Sequence, residues 1–290
     1  MPFHSRNKYQ GSYDLKQLVE ACPTLHAFVI TKKDGQLSLD FGQAEAVFLL
    51  NKTLLSTQYQ VNNWALPEGA LCPPIPSRAD YLHHLADLLG TEAGLPPRGK
   101  KTKILDIGTG ASCIYPLLGT SAYGWSFIGA DSNAQSIQWA HQFLMEQKRL
   151  RALIELRFQN TSSHIFQGII KKQDKIAATI CNPPFYKSAK EALEQQQRKW
   201  RQVHPQQPSP NFGGQAHELH YVGGEVAFIK KMILESQLFQ QQVQWFTTLV
   251  AQEKHLKTLY QSLKKANVAR IETLEMQHGN KKSRVLCWAY

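Results

Sequence analysis

Five short apolar runs, Lys103 to Ile107, Trp125 to Ala130, Ile154 to Phe158, Ala177 to Cys181 and Gln244 to Val250, are separated by segments long enough to hold helices. Apolar runs of this length without strict alternation belong to strands covered on both faces, and parallel neighbours need a crossover of about a dozen residues or more, usually a helix. The pattern therefore predicts a doubly wound α/β domain with a mostly parallel sheet. Two further runs, Ala269 to Met276 and Arg284 to Tyr290, flank the turn Gln277 to Ser283 and read as an antiparallel pair at one end, giving seven strands. Residues 1–97 read differently. Helical patterns at Asp14 to Glu20, Ala44 to Leu55 and Arg78 to Leu89, the last with Leu82, Leu85 and Leu89 on one face, predict a small helical N-terminal subdomain with few strand signals. Pro67 to Pro76 holds four prolines and reads as an extended connector, and the Pro/Gly stretch Gly94 to Gly99 marks the boundary with a domain over 98–290. Within that domain, 187–221 is rich in Gln, Lys, Arg and Pro and too long for a plain connection, which suits a basic substrate loop.

The candidate chemistry sits at strand ends. The first strand runs into Asp106-Ile107-Gly108-Thr109-Gly110, a glycine turn that brings backbone close to a ligand at the carboxyl edge, where doubly wound sheets bind nucleotides. Cys113 stands where a dinucleotide fingerprint needs its third glycine, so S-adenosyl-L-methionine fits the turn better. Asp131, 25 residues after Asp106, ends the next strand, where its carboxylate could accept both ribose hydroxyls or else cap the following helix with Ser132. Asp106 could hold the cofactor's amino group or order the glycine turn. The fourth run ends in Asn182-Pro183-Pro184-Phe185. Two prolines fix this backbone, leave the carbonyls of Asn182 and Pro183 without helical partners, and set an aromatic face beside them, a pocket for a planar NH2 group.

The chain has 290 residues and 42% hydrophobic content, enough for a large core. It contains no apolar stretch near the roughly 18 residues a bilayer span requires, and no apolar leader follows Met1, so a cytoplasmic, membrane-free protein is expected. Five separated cysteines without a C-x-x-C pair read as reduced structural thiols. His83 and His84 are adjacent on a helix and face different ways, so no metal site is expected. Trp64, Trp125 and Trp139 read as packing residues, and Glu225 as an acid in the first turn of a helix over Val226 to Ser236. The balance of 33 basic and 22 acidic side chains leaves +11, which favours a polyanionic partner. Basic residues cluster at Arg6 and Lys8, at Lys100, Lys101 and Lys103, at Lys171 and Lys172, at Arg198, Lys199 and Arg201, and at Lys281, Lys282 and Arg284. Several of these clusters neighbour the candidate site in sequence.

Longer blocks carry a resemblance: Ile104 to Gly119, Cys72 to Tyr81, Cys181 to Phe185, Asn211 to Gln215, Gly223 to Met232, and Lys281 to Trp288. Through them the chain resembles, nearly end to end, the bacterial 23S ribosomal RNA adenine-N6 methyltransferases of the RlmF type, related to the METTL-type RNA adenine methyltransferases. The resemblance implies a class I Rossmann-like methyltransferase fold, S-adenosyl-L-methionine as cofactor, and 23S ribosomal RNA or a large-subunit assembly intermediate as substrate; a monomer is expected, since a large RNA substrate needs no second copy. It places cofactor contacts at Arg78, Gly108, Asp131, Thr161 and Asn182, beside Asp106 and Gly110, and catalysis at Asn182, Pro183, Pro184 and Phe185. The charge clusters, not the resemblance, make Arg6, Lys8, Arg198, Lys199, Arg201, Lys281, Lys282 and Arg284 the candidate RNA contacts. Two other readings share parts of the pattern. A protein glutamine methyltransferase could use the same Asn-Pro-Pro-Phe turn on a side-chain amide, and an RNA-binding assembly protein could keep the fold without catalysis.

Overall fold

The computed structural model of the protein describes residues 3–11, 13–90, 94–188, 190, 191, 194, 197, 220–278 and 281–290. Helix α1 (Leu15–Ala21) starts at Asp14, whose carboxylate accepts a bond from the Gln17 amide. A hairpin of two three-residue strands, β1 (Val29–Thr31) and β2 (Leu37–Leu39), follows, turned through Gly35 at φ 81°. Then come α2 (Ala44–Tyr59) and α3 (Ile75–Leu88). The start of α3 lies three residues before the expected Arg78 and inside the expected connector. Pro76 sits in its first turn, where the missing amide proton has no helical acceptor to lose.

The remaining elements are β3 (Lys103–Ile107), α4 (Ile114–Tyr123), β4 (Ser126–Asp131), α5 (Ala134–Met145), α6 (Lys148–Arg151), β5 (Ile154–Phe158), β6 (Ile176–Cys181), α7 (Gly224–Ser236), β7 (Val243–Val250), α8 (Leu256–Lys265), β8 (Arg270–His278) and β9 (Lys281–Ala289). Seven strands form one sheet in the order β5-β4-β3-β6-β7-β9-β8. All neighbours from β5 to β7 are parallel, and β9 inserts antiparallel between β7 and β8. The closing hairpin is tighter than the sequence suggested, since pairing continues to His278 and Lys281.

Alternation along each strand assigns every side chain to one of two faces. Ile104, Phe127, Ala178, Ile180 and Trp245 share a core with α1 to α5, whereas Leu105, Ile107, Ile128, Cys181 and Phe246 share one with α7 and α8. The N-terminal helices are therefore the cover of one sheet face. Helix α3 is pinned there by Tyr81, whose hydroxyl lies 2.7 Å from the Thr247 hydroxyl on β7. The arm before α1 buckles onto α3 through Asn7, which donates to Asp80 and to the Pro76 carbonyl. Close packing of α4 needs a glycine at 119, because a Cβ there would stand 2.4 Å from Phe127 Cζ and 3.4 Å from Leu82. Gly119→Ala is expected to lose about 1–3 kcal/mol through overpacking, read as a lower urea midpoint with an unchanged slope.

Candidate active site

Registry brings the candidate residues into one row. Ile107 pairs with Ala130 on one side and with Cys181 on the other, so the next residue of each strand, Asp131, Gly108 and Asn182, stand side by side at the carboxyl edge. Adjacent strands are about 4.8 Å apart. Thr161 extends the row, three residues past Phe158, the β5 partner of Asp131. Counted by alternation, Asp106, Asp131 and Asn182 share the parity of Ile104, Phe127 and Ile180, and thus turn to the face covered by α3 and α4. Arg78, on α3, lies on that same face with its guanidinium carbon 5.6 Å from the Tyr115 ring centre.

Gly108 forms the floor of the row. It is exposed, has φ 75°, and a Cβ built on it would meet nothing within 4 Å, so open space lies directly above the backbone. The turn is held from below by the Gly108 and Thr109 amides, both donating to the Ala130 carbonyl at 2.9 and 3.0 Å. Gly110, at φ 62°, donates to Asp131 Oδ2 at 2.8 Å, while Asn133 donates to Asp131 Oδ1 at the same distance. A carboxylate oxygen has two lone pairs, so accepting one amide bond does not by itself exclude a ligand hydroxyl. Helix α5 takes its side-chain cap from Asn133, which accepts from Ser136, leaving Asp131 outside the capping role. Cys113 holds φ 50°, a left-handed conformation uncommon for a residue other than glycine.

The polar atoms left without partners point to what the site holds. Both Asp106 oxygens, the Tyr115 hydroxyl and Asn182 Oδ1 are buried and make no hydrogen bond. Burial pushes the Asp106 carboxyl up to about 7; the nearby Thr109 hydroxyl draws it down, the Asp131 charge adds to the rise and Arg78 opposes it. Buried acceptors normally find partners, because stranding one costs about 1–3 kcal/mol. An amino-acid zwitterion would satisfy this arrangement, its ammonium on Asp106 and its carboxylate on Arg78. Adjacent ribose hydroxyls would find Asp131. The residues thus fit S-adenosyl-L-methionine in an order running from Arg78 and Asp106 across Gly108 to Asp131. Asn182 is set beside this seat with an acceptor to offer, and Pro183 next to it is buried. The segment beyond Phe185 is braced by α7 and the residues leading into it: the Tyr221 amide donates to the Tyr186 carbonyl, and Gly224 allows Lys187 Cγ to come within 3.0 Å of its Cβ position.

A family profile described as RNA methyltransferase matches residues 1–290, the whole chain. The chain belongs to this family. It is 46% identical over 295 residues to the ribosomal RNA large subunit methyltransferase F of Pseudomonas paraeruginosa, covering 100% of this chain and 88% of that protein. Its counterpart of the same name in Psychromonas ingrahamii is 44% identical over 292 residues, with 99% and 94% covered. Among solved structures, the hMettl16 catalytic domain in complex with the MAT2A 3'UTR hairpin 1 superposes with a TM-score of 0.83 at 28% identity, covering 100% of this chain and 96% of that one. The N-terminal domain of human METTL16 in complex with SAH gives 0.77 at 25% identity, covering 100% and 99%. The seven-stranded Rossmann-like methyltransferase fold expected from the sequence is thus the fold of the family, and the chain is an RNA methyltransferase.

The expected RNA-contact residues are dispersed. Lys282, exposed, opens β9 beyond the β7 pairing of Arg284 with Val250, and so stands at the carboxyl edge together with Lys281. Arg284 itself is buried and its guanidinium is ion-paired to Glu253 at 2.5 Å. Arg6 donates to Asp87, to the His83 carbonyl and to the Tyr123 hydroxyl, clamping the arm to α3 and α4. Lys8 donates to the Gln58 carbonyl. Arg198, Lys199 and Arg201, with most of the 187–221 loop, lie outside the described residues. Lys100 and Lys101 precede β3, Lys103 is its first residue, and Lys171 and Lys172 precede β6, which places all five at the opposite, amino edge from the site. Glu225 lies in the first turn of α7 as expected, but its buried carboxylate accepts from the Ala251 amide and pairs with His255 at 2.5 Å. Among the described residues, no three His, Cys, Asp or Glu side chains gather to hold a metal ion, and no helix is long and apolar enough to cross a membrane. Tyr115 is the site residue that sequence reading passed over, since a tyrosine on an apolar helix face reads as core. Its signal was position, in the first turn of the helix after the glycine motif.

Proposed function

We propose that the protein transfers a methyl group from S-adenosyl-L-methionine to N6 of an adenosine in large-subunit, 23S, ribosomal RNA, acting as a cytoplasmic monomer. The observation that carries this reading is the buried, unpartnered Asn182 Oδ1 beside the glycine seat and the orphaned Asp106 carboxylate. The cofactor, when bound by Arg78, Asp106, Gly108, Gly110, Asp131 and Thr161, supplies an electrophilic methyl group, so no strong base is needed and the protein's task is alignment. Adenine N6 shares its lone pair with the ring. Asn182 Oδ1 and the Pro183 carbonyl accept its two hydrogens, which favours a more pyramidal nitrogen whose lone pair can attack. Pro184 keeps the turn rigid, and Phe185 stacks on the extruded base, a contact worth about 1–3 kcal/mol. The net charge of +11 and the RNA-directed relatives support RNA over a protein glutamine substrate.

Purified protein and labelled cofactor, incubated with ribosomal RNA from cells lacking the gene, are expected to yield labelled N6-methyladenosine in nucleoside mass spectrometry. Label in the protein fraction with none in RNA would replace this reading with the glutamine one.

A further inference from the structure

We propose that the amino edge of the sheet is a second RNA-binding surface, which holds a part of the folded substrate remote from the adenosine being methylated; this rests on the RNA reading above. Three chain segments enter the same stretch of the sheet there, two of them into the neighbours β3 and β6 and the third into β5 beyond β4. Lys100 and Lys101 lead into β3, Lys148 and Arg151 lie on α6 just ahead of β5, and Lys172 and Lys175 lead into β6. In the order β5-β4-β3-β6, the outer two entries are three strand spacings apart, about 14 Å. All six side chains are exposed. None makes an ion pair among the described residues.

Asp174 and Glu155, two acids at this edge, are already engaged. Asp174 is bonded to Arg157 at 2.5 Å and lies 3.7 Å from Lys103, and Glu155 pairs with Arg157 at 2.8 Å and Lys171 at 3.0 Å. Glu146, at the end of α5, is exposed and offsets one of the six charges. The result is a positive field in excess of its nearby counter-charge, one full strand length of about 17 Å or more from the catalytic row. A row of charges on flexible stems suits phosphates read without sequence preference. A large folded RNA can occupy both edges at once, so the surface would add affinity without touching the reacting base.

The test replaces four residues together, K100E/K101E/K172E/K175E, none of which is in the catalytic row, and compares it with a version carrying arginine at the same positions. With a large-subunit ribosomal RNA transcript, the charge-reversed protein is expected to show a KM at least 10-fold higher with kcat unchanged. Its plot of log binding constant against log salt should be shallower by at least about 3, given roughly 0.9 per phosphate contact. The arginine version is expected to match the unaltered protein in both. Unchanged KM and salt slope would overturn the proposal, as would a KM rise confined to ribosomal particles and absent on naked transcript, which would assign the edge to a protein partner. The milder pair K172Q/K175Q, expected to raise KM about threefold, reads the same surface if the reversed protein fails to fold. Failure of the methylation reading is separately visible, because the unaltered protein would then label no RNA, while the binding slope still tests the surface.

Discussion

Asn182→Ala is expected to lower methyl transfer by about 100- to 1,000-fold, the range found when one preorganised hydrogen-bonding group is removed from a reacting centre, and yet to leave the protein as stable as before or more so. The second half of that expectation is the discriminating one. A buried polar residue ordinarily takes its hydrogen bonds with it when truncated, but Asn182 Oδ1 makes none in the ligand-free fold. Its removal relieves a desolvated acceptor, and the gain can reach about 1–3 kcal/mol. Cofactor affinity is expected to move by no more than a few-fold, since the seat built from Asp106, Gly108 and Asp131 is untouched. Single-turnover rates at saturating RNA, a urea melt and equilibrium dialysis of the cofactor check the three parts. Wild-type rates would sink the role given to Asn182; a destabilised variant would mean that its side chain holds the turn together.

Much of this site was legible because the parallel sheet converts sequence order into spatial order. A strand that ends in Asp106 and another that ends just before Asn182 must both finish at the carboxyl edge, whatever lies between them, and the alternation of their apolar residues fixes which face each polar side chain meets. The same rule explains the misplacement of Lys100, Lys101, Lys103, Lys171 and Lys172. They are close in sequence to the glycine turn and to the Asn-Pro-Pro-Phe segment, but they stand before or at the start of their strands, so a strand length separates them from the chemistry. Arg6 and Arg284 illustrate a different blind spot. Their acidic partners, Asp87 and Glu253, lie 81 and 31 residues away, and no local pattern announces such pairing. The β1–β2 hairpin escaped notice for a third reason: three residues per strand are too few for a period to be counted, although Asp34-Gly35 is a turn signal. Helix α3 began early because Pro76 can serve the first turn as well as a connector.

Asp106 is where the demands of binding and of folding oppose each other most strongly. Its carboxyl titrates near 7 in the folded chain because burial disfavours the charge, against an ordinary 3.8. A folded-state value above the unfolded one means that the folded protein holds the proton longer. This residue's contribution to stability is therefore intact below about pH 4, declines as pH rises from 4 to 7, and is flat above. The span of roughly 3 pH units corresponds to about 4 kcal/mol. Asp106→Asn, isosteric and uncharged, is thus expected to match the parent near pH 4 and to exceed it by up to about 4 kcal/mol at pH 8. Depressed carboxyls elsewhere, such as Asp80 and Asp174, act in the opposite sense but are common to both proteins and cancel in the difference. Cofactor binding is expected to run the other way. Only the ionised carboxylate can receive an ammonium group as a charge-assisted acceptor, so in the parent the association constant should rise about tenfold per pH unit up to 7 and level off above it. In Asp106→Asn the profile should be nearly flat and, at pH 8, about 10- to 100-fold weaker, the equivalent of losing one hydrogen bond to a charged group. Paired chemical-denaturation and calorimetric titrations from pH 5 to 8.5 separate the two effects. A parent whose cofactor affinity ignores pH across 7 would show that the carboxylate faces no cation in the complex, and a variant that gains no stability at pH 8 would show that Asp106 is already compensated within the ligand-free fold.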